Sequence, residues 1–268
     1  MYSGTTIRNA SGNIMGAHQK FDRIARRMLE DLVPESDFPP IKLILHFEGK
    51  NGPDGVKRKS PAQDEPWHYY DPKSEENGDF LKIINDHYHS LVQQLANHNQ
   101  EKAAFEAAWL AHALVDGLTP AHHYPYEEKL AELRGEGIET RDTLKDKLII
   151  GGEGTLEILK NNWKMWGAKG LMTTHGLFEL GVATIITPLR LKSGMPHEED
   201  LVMVRKEGVP ATFEHYAHVI DSLHMYERYY RLGWTKKLNR QVRQDLAPAI
   251  VKMVTLAWYA AQLEAQKS

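Results

Sequence analysis

The sequence predicts an all-α protein, a single multi-helix domain over residues 1–268. Three observations predict this class. Apolar residues recur at helical spacing, as in Phe21, Ile24, Met28 and Leu29, and again in Leu81, Ile84, Tyr88, Leu91 and Leu95. The segment "QDLAPAIVKMVTLAWYAAQLEA" is a long apolar run of helical length. Strand signals are scarce: "IKLILHF" at 41–47 is the only good β candidate, and a buried connector would read the same way. With 268 residues, 41% hydrophobic and 26% charged, the chain has the composition of a soluble globular protein with a sizeable core.

Taken in order, helices are expected at 17–33, 79–98, 100–117, 139–150, 154–163, 170–186, 211–231 and 236–265. The first two follow from the stripes just named. The third is alanine-rich and is stopped by Gly117 and Pro120. The last carries Pro248 near its first turn, where proline is tolerated. Residues 48–78 are rich in Gly, Pro and charge and read as a long loop, a feature that is often functional inside a compact domain. Two further polar segments, 124–140 and 190–200, read as surface excursions.

Composition narrows the chemistry. A net charge of −3 argues against a general polyanion-binding surface and so against duplex DNA, while leaving room for a small phosphate-directed site. There is no cysteine, which rules out disulfides and thiolate metal ligands, so a metal would be held by His, Asp and Glu. Fourteen histidines stand mainly in the first two thirds of the chain. The opening "MYSGTTIRNASGNIMGAHQKF" lacks the basic start and apolar core of a signal peptide, and no apolar run reads as a membrane span. The expectation is a cytoplasmic protein, or a secreted one if a signal was removed from a longer precursor.

Residues i and i+4 share a helix face. His112–Asp116, His175–Glu179, His18–Asp22 and His123–Glu127 have that spacing, four pairs where chance supplies about two. The compound motif "HALVDGLTPAH" says more. It sets His112 and Asp116 on a helix end, breaks the helix, and delivers His122 from the following turn, three nitrogen and oxygen donors in a small volume. Asp116 has two oxygens and can bridge two ions.

This pattern resembles the zinc-dependent phospholipase C and single-strand nuclease superfamily, all-α enzymes with a zinc cluster in a cleft between helices and a long loop. The resemblance rests on His112, Asp116, Pro120 and His122, on the later pair His175 and Glu179, on His68 in "WHYYDP", on Asp54 upstream of it, and on His18 in "GAHQKF". It covers roughly residues 15–185. It implies one zinc held by Asp54, His68, His112 and Asp116, a second by His122, His175 and Glu179, and a third served by His18 and Asp116, with Asp54 also placed as a catalytic base. The family's third zinc also uses an N-terminal Trp, whereas the first Trp here is Trp67. Two tightly held Zn2+ ions are therefore expected, with the third position short of ligands and Asp22 left to an exposed salt bridge. The stretch between His122 and His175 is longer than the family's, which predicts an extra helical hairpin over the cleft.

The implied function is a zinc-dependent phosphoric diester hydrolase, phospholipase C-like, acting on a phosphodiester substrate through water. "WHYYDP" and Glu179 are closer to the phospholipase branch, although no exposed apolar interfacial stretch is evident in the sequence. The alternatives are a single-strand nuclease or nucleotidase of the same fold, for which Trp67 with Tyr69 or Tyr70 would provide stacking, and a non-catalytic zinc-stabilised helical protein. Other signals have plainer readings. His123 belongs behind the site or on the surface. Of His87 and His89, one is core-edge and the other exposed on an amphipathic helix. His215, His218 and His224 pack within a helical core, as do Trp109 and Trp163. Tyr69 and Tyr70 either line the cleft or anchor their loop. "GVKRKS" at 55–60 is a solvated loop that could steer an anion towards Asp54.

Overall fold

The computed structural model describes residues 1–2, 16–57, 59–62, 68–74 and 77–267, and every regular element among them is helical. Trp67 lies outside the described residues. α1 (Ala17–Leu32) buries Phe21, Ile24, Ala25, Met28 and Leu29, the predicted stripe. α2 (Ile41–Ile44) runs into a 3₁₀ turn at Leu45–Phe47, so "IKLILHF" is helical and not a strand. No described strand stands beside it to pair with, and a helical turn satisfies its backbone groups locally. α3 (Pro53–Lys57) is a short helix inside the segment read as loop. α4 (Gly78–Ala96) and α5 (Gln100–Gly117) follow as predicted and pack along one another.

The middle of the chain departs most from expectation. α6 (Tyr126–Arg134) occupies a segment read as a polar excursion. The helix expected at 139–150 shrinks to α7 (Leu144–Leu148), because a Thr143–Asp146 capping box starts it late and Ile149 is extended. α8 (Thr155–Trp166) and α9 (Leu171–Ile186) stand close to prediction. α10 (Glu198–Asp221) begins well before the expected 211. It kinks at Gly208 (φ 83°, ψ 170°), two residues before Pro210. That kink is why periodicity showed only its second half. His224, in the left-handed region at φ 48°, separates α10 from α11 (Met225–Leu232). α12 (Lys236–Gln241) leads through a π-helical turn into α13 (Ala247–Ala265).

α13 is the axis of the core. It packs against α1, α4, α5 and α10, and Trp258 donates its indole N–H to the Ala107 carbonyl at 3.1 Å. Lys236–Ala265 is, among the described residues, the one helical run long and apolar enough to cross a membrane, yet 83% of its most apolar window is buried in the fold. It serves as a core helix. A second, small cluster of Tyr126, Leu130, Ile150 and Met165 holds α6, α8 and the segment after α7 together. His215, His218 and His224 are exposed rather than packed in the core.

Two contacts fix the helix ends around the later site. At Gly117, a Cβ would come within 2.6 Å of the Phe213 ring and 2.7 Å of the Phe80 ring, so only glycine lets α5 seat its C-terminal turn there. Gly117→Ala is expected to destabilise the fold by about 1–3 kcal/mol through overpacking, measured by urea unfolding. At the other end of the core, Asp200 accepts from Lys252 Nζ, Tyr216 OH and the His197 N–H, each at 2.7 Å. Burial would raise the Asp200 carboxyl, but these three donors outweigh it and hold it below the usual carboxylate value. A depressed folded-state pKa stabilises the fold above the unfolded value of about 3.9 and is lost as pH falls through the lower folded value. Asp200→Asn should therefore cost stability at neutral pH, with the gap to wild type closing below about pH 4 in thermal melts.

Candidate metal centre

α5 places His112 and Asp116 one turn apart on a buried face, with Asp116 only 2% exposed. After Gly117 the chain folds back through a 3₁₀ turn at Pro120–His123, closed by the His122 N–H to the Thr119 carbonyl at 2.8 Å. This return aims His122 at the end of α5. The loop carrying His68 is sewn to the same turn. His122 Nδ1 donates to the His68 carbonyl at 2.7 Å, and the Tyr70 N–H donates to the His122 carbonyl at 3.1 Å. α9 contributes His175 and Glu179, and α1 contributes His18.

All eight residues expected at the site meet there. Asp116 is the hub. Its Oδ2 lies 2.8 Å from His68 Nδ1 and 3.2 Å from His112 Nε2; its Oδ1 lies 3.3 Å from His18 Nε2 and 3.9 Å from His122 Nε2. Two of the expected groupings form compact donor sets: Asp54 with His68 and His112, and His122 with His175 and Glu179, each with donor atoms within 4.8 Å of one another. Glu179 Oε1 is 2.8 Å from His122 Nε2 and 3.1 Å from His175 Nε2. Asp54 is the outermost member, 3.9 Å from His112 Nε2 and partly open to the cleft.

The chemistry of this donor set suits a metal ion. His122 gives its Nδ1 proton to a carbonyl, so in the neutral ring Nε2 is a lone pair facing a carboxylate oxygen. His68 Nε2 and His112 Nε2 are buried without a hydrogen-bond partner. A cation between such groups would satisfy all of them. These buried groups could hold a metal ion; nitrogen and oxygen donors of this kind are those zinc accepts where cysteine is absent.

Two features escaped the sequence reading. The first is Met1. Its ammonium group pairs with Asp116 Oδ1 and lies 3.4 Å from Glu179 Oε1, while its carbonyl accepts from His18 Nε2 at 2.7 Å. The Met1 carbonyl is therefore a further oxygen beside His18 and Asp116. Nothing in "MYSG" signals this, because the contact spans 115 residues of sequence. The second is a pair of carboxyl groups behind the histidines. His18 and His112 stack at 4.1 Å, 9° from parallel. Glu48 Oε1 sits 3.1 Å from His112 Nδ1, on the side away from Asp116. Asp22, expected at an exposed salt bridge, is instead 1% exposed, with neither carboxylate oxygen hydrogen-bonded. The stripe facing the core forces it inward, one turn after His18.

Electrostatics follow this geometry. Burial would raise Asp116 and Glu179, but the Met1 ammonium and the surrounding imidazoles hold both far below the usual carboxylate range. Burial would lower the Met1 amine, but Asp116, Glu179 and Asp54 raise it to about 10. Burial, aided by Lys57, drives His68 down to about 3; burial also lowers His122. Both rings are thereby neutral, as a metal ligand must be. His112 goes the other way: burial opposes its charge, and Glu48 and Asp116 raise it well above normal. Asp22 is raised by burial and by Glu48. Asp54 would be raised by burial, but His112 leads the groups that keep it low and ionised.

The cluster forms one end of a cleft of about 450 Å³. Leu130, Leu144, Leu148, Met165 and Met172 also line it, as do Lys57, Lys147 and Arg141. Tyr69 lines the cleft and stacks on Tyr126 at 5.3 Å, whereas Tyr70 is a buried anchor for the loop, so each of the two readings holds for one tyrosine. His123 turns away, bonded to the Gly117 carbonyl at 2.8 Å. No family model matches the chain, and no curated protein or solved structure matches it either.

Glu48 orients the His112 ring from behind, a contact whose loss in metal sites costs about 10–100-fold in affinity. Glu48→Ala is expected to weaken Zn2+ binding by that range in chelator competition, with Glu48→Gln falling between it and wild type.

Proposed function

We propose that the protein is a zinc-dependent phosphodiester hydrolase of the phospholipase C type. The observation that carries this reading is the Asp116 carboxylate, which approaches both donor sets in a cleft also lined by leucine and methionine side chains. Asp54, His68, His112 and Asp116 would hold one ion, and His122, His175 and Glu179 a second. His18 and Asp116 would serve a third, beside the Met1 carbonyl. When bound, zinc ions supply Lewis acidity towards phosphate oxygens and lower the pKa of water.

The chain's own residues supply the rest. Asp54 is ionised, borders the cleft and is only loosely associated with His112, which suits it to accept the proton of the attacking water at a carboxylate oxygen. Lys57, whose ammonium lies 5.9 Å from the Tyr69 ring centre, brings positive charge to the cleft that would receive the phosphate. Burial raises the Tyr69 hydroxyl well above its ordinary value, so it stays protonated as a donor. The leucine and methionine wall offers an apolar surface to the substituents of a lipid ester. A nuclease reading has one specific observation in its favour, the flat Tyr69–Tyr126 stack beside the donors, on which a base could lie.

Elemental analysis of protein purified without chelator should return at least two zinc ions per chain. Hydrolysis of a short-chain phosphatidylcholine should exceed that of single-stranded DNA. Asp54→Asn should lose about 10²-fold or more in kcat, the range for a lost general base, and should hold the ion shared with His68 and His112 more weakly. Metal-free protein without hydrolysis of either substrate would sink the reading. A preference for DNA would move it to the nuclease branch.

A further inference from the structure

We infer that the outer face of the α7–α8 hairpin is a docking surface for an anionic lipid bilayer. This deepens the lipid reading proposed above and rests on it for what the docking serves. On α8, Leu156, Leu159, Trp163 and Trp166 recur at spacings of three and four residues, which places them within an arc of about 80°. That arc points into solvent: Leu156 is 84% exposed, Trp163 69% and Leu159 65%. The opposite face carries Met165 into the small cluster with Tyr126, Leu130 and Ile150. A helix that covers its inner side and leaves two leucines and two tryptophans outward has the pattern of an interfacial helix.

The hairpin is held in one arrangement. Asn162 clasps Ile150 with its amide, donating to the carbonyl at 2.8 Å and accepting from the N–H at 3.1 Å. Trp166 donates its indole N–H to the Leu148 carbonyl at 2.7 Å. The exposed face is therefore built, with each helix end tied to the other.

Charge and position select the occupant. Residues 144–170 hold five lysines against three acidic residues, in a chain whose net charge is −3. Lys160 and Lys164 are exposed beside the apolar arc, where their stems can lie along the acyl boundary and their ammonium groups can reach anionic headgroups. The face is also continuous with the cleft. Leu144 and Leu148 are half-exposed on α7 and at the same time line the cavity that ends at Asp116. A bilayer seated on this face lies at the cleft mouth, where a lipid can pass from the surface to the donors.

The test uses the full chain and sedimentation with vesicles of phosphatidylcholine containing phosphatidylglycerol. The wild type should bind, with weaker binding to pure phosphatidylcholine. Leu159→Ser/Trp163→Ser should lower the partition constant by about tenfold or more, the scale of withdrawing two large apolar side chains from an interface. Both positions are exposed, so an unchanged melting curve verifies folding, and turnover of soluble bis(p-nitrophenyl) phosphate should equal that of wild type. Wild type that stays in the supernatant, or a double variant that binds vesicles as well as wild type, overturns the inference. So does a concentration-dependent dimer that the double variant abolishes without any vesicle binding, which would make a second copy the occupant. Vesicle binding without phosphodiester turnover would reject the hydrolase reading alone. Turnover of the soluble ester without vesicle binding would reject the docking surface alone.

Discussion

A carboxylate buried in the middle of a helical protein is costly unless opposite charge or hydrogen-bond donors surround it. Asp116 is such a group, and the architecture around it meets that requirement. Four imidazoles and a chain-terminal ammonium converge on its two oxygens. Each comes from a different segment, and only His112 shares a helix with Asp116. α1 supplies His18, the loop before α4 supplies His68, and the turn after α5 supplies His122. The glycine that ends α5 and the proline that starts the return turn are therefore parts of one device: they let the helix end abut two phenyl rings and send the chain back towards its own carboxylate.

The site joins two parts of unequal packing. One side is the large core built on α13, α5, α4 and α1. The other is α6 to α8, pinned by a cluster of four buried residues and by amide and indole hydrogen bonds. Regions with few buried apolar contacts open at lower free energy than the core they rest on. The rigid donors thus belong to the well-packed side, and the cleft wall and its exposed face belong to the side with less holding it. Metal ions held by His68 with His112 and by His122 with His175 would tie loop, helices and turn together, so that binding free energy adds to folding free energy.

Much of this was legible in one dimension because the information is local. Apolar spacing marks α1, α4, α5 and α13, and i, i+4 spacing puts His112 with Asp116 and His175 with Glu179 on common faces. The segment 41–47 read equally as strand or buried connector because a short apolar run has no period that separates them; it is helical, with no described strand to pair with. The core position given to Trp163 failed because a stripe at helical spacing does not say whether protein covers it. The same ambiguity hid the exposed apolar face of α8.

The sequence by itself determined the helical class and set His112 with Asp116 and His175 with Glu179 on common helix faces, since both depend on spacing along the chain; His18, Asp54 and His68 were singled out for the site only by resemblance to a family. Only the tertiary structure decided that Asp116 is the hub and that Met1 reaches it. It also decided that Glu48 stands behind His112 and that Asp22 is buried. These are contacts between segments up to 115 residues apart, set by how helices pack and where a turn sends the chain, and no short-range pattern encodes them.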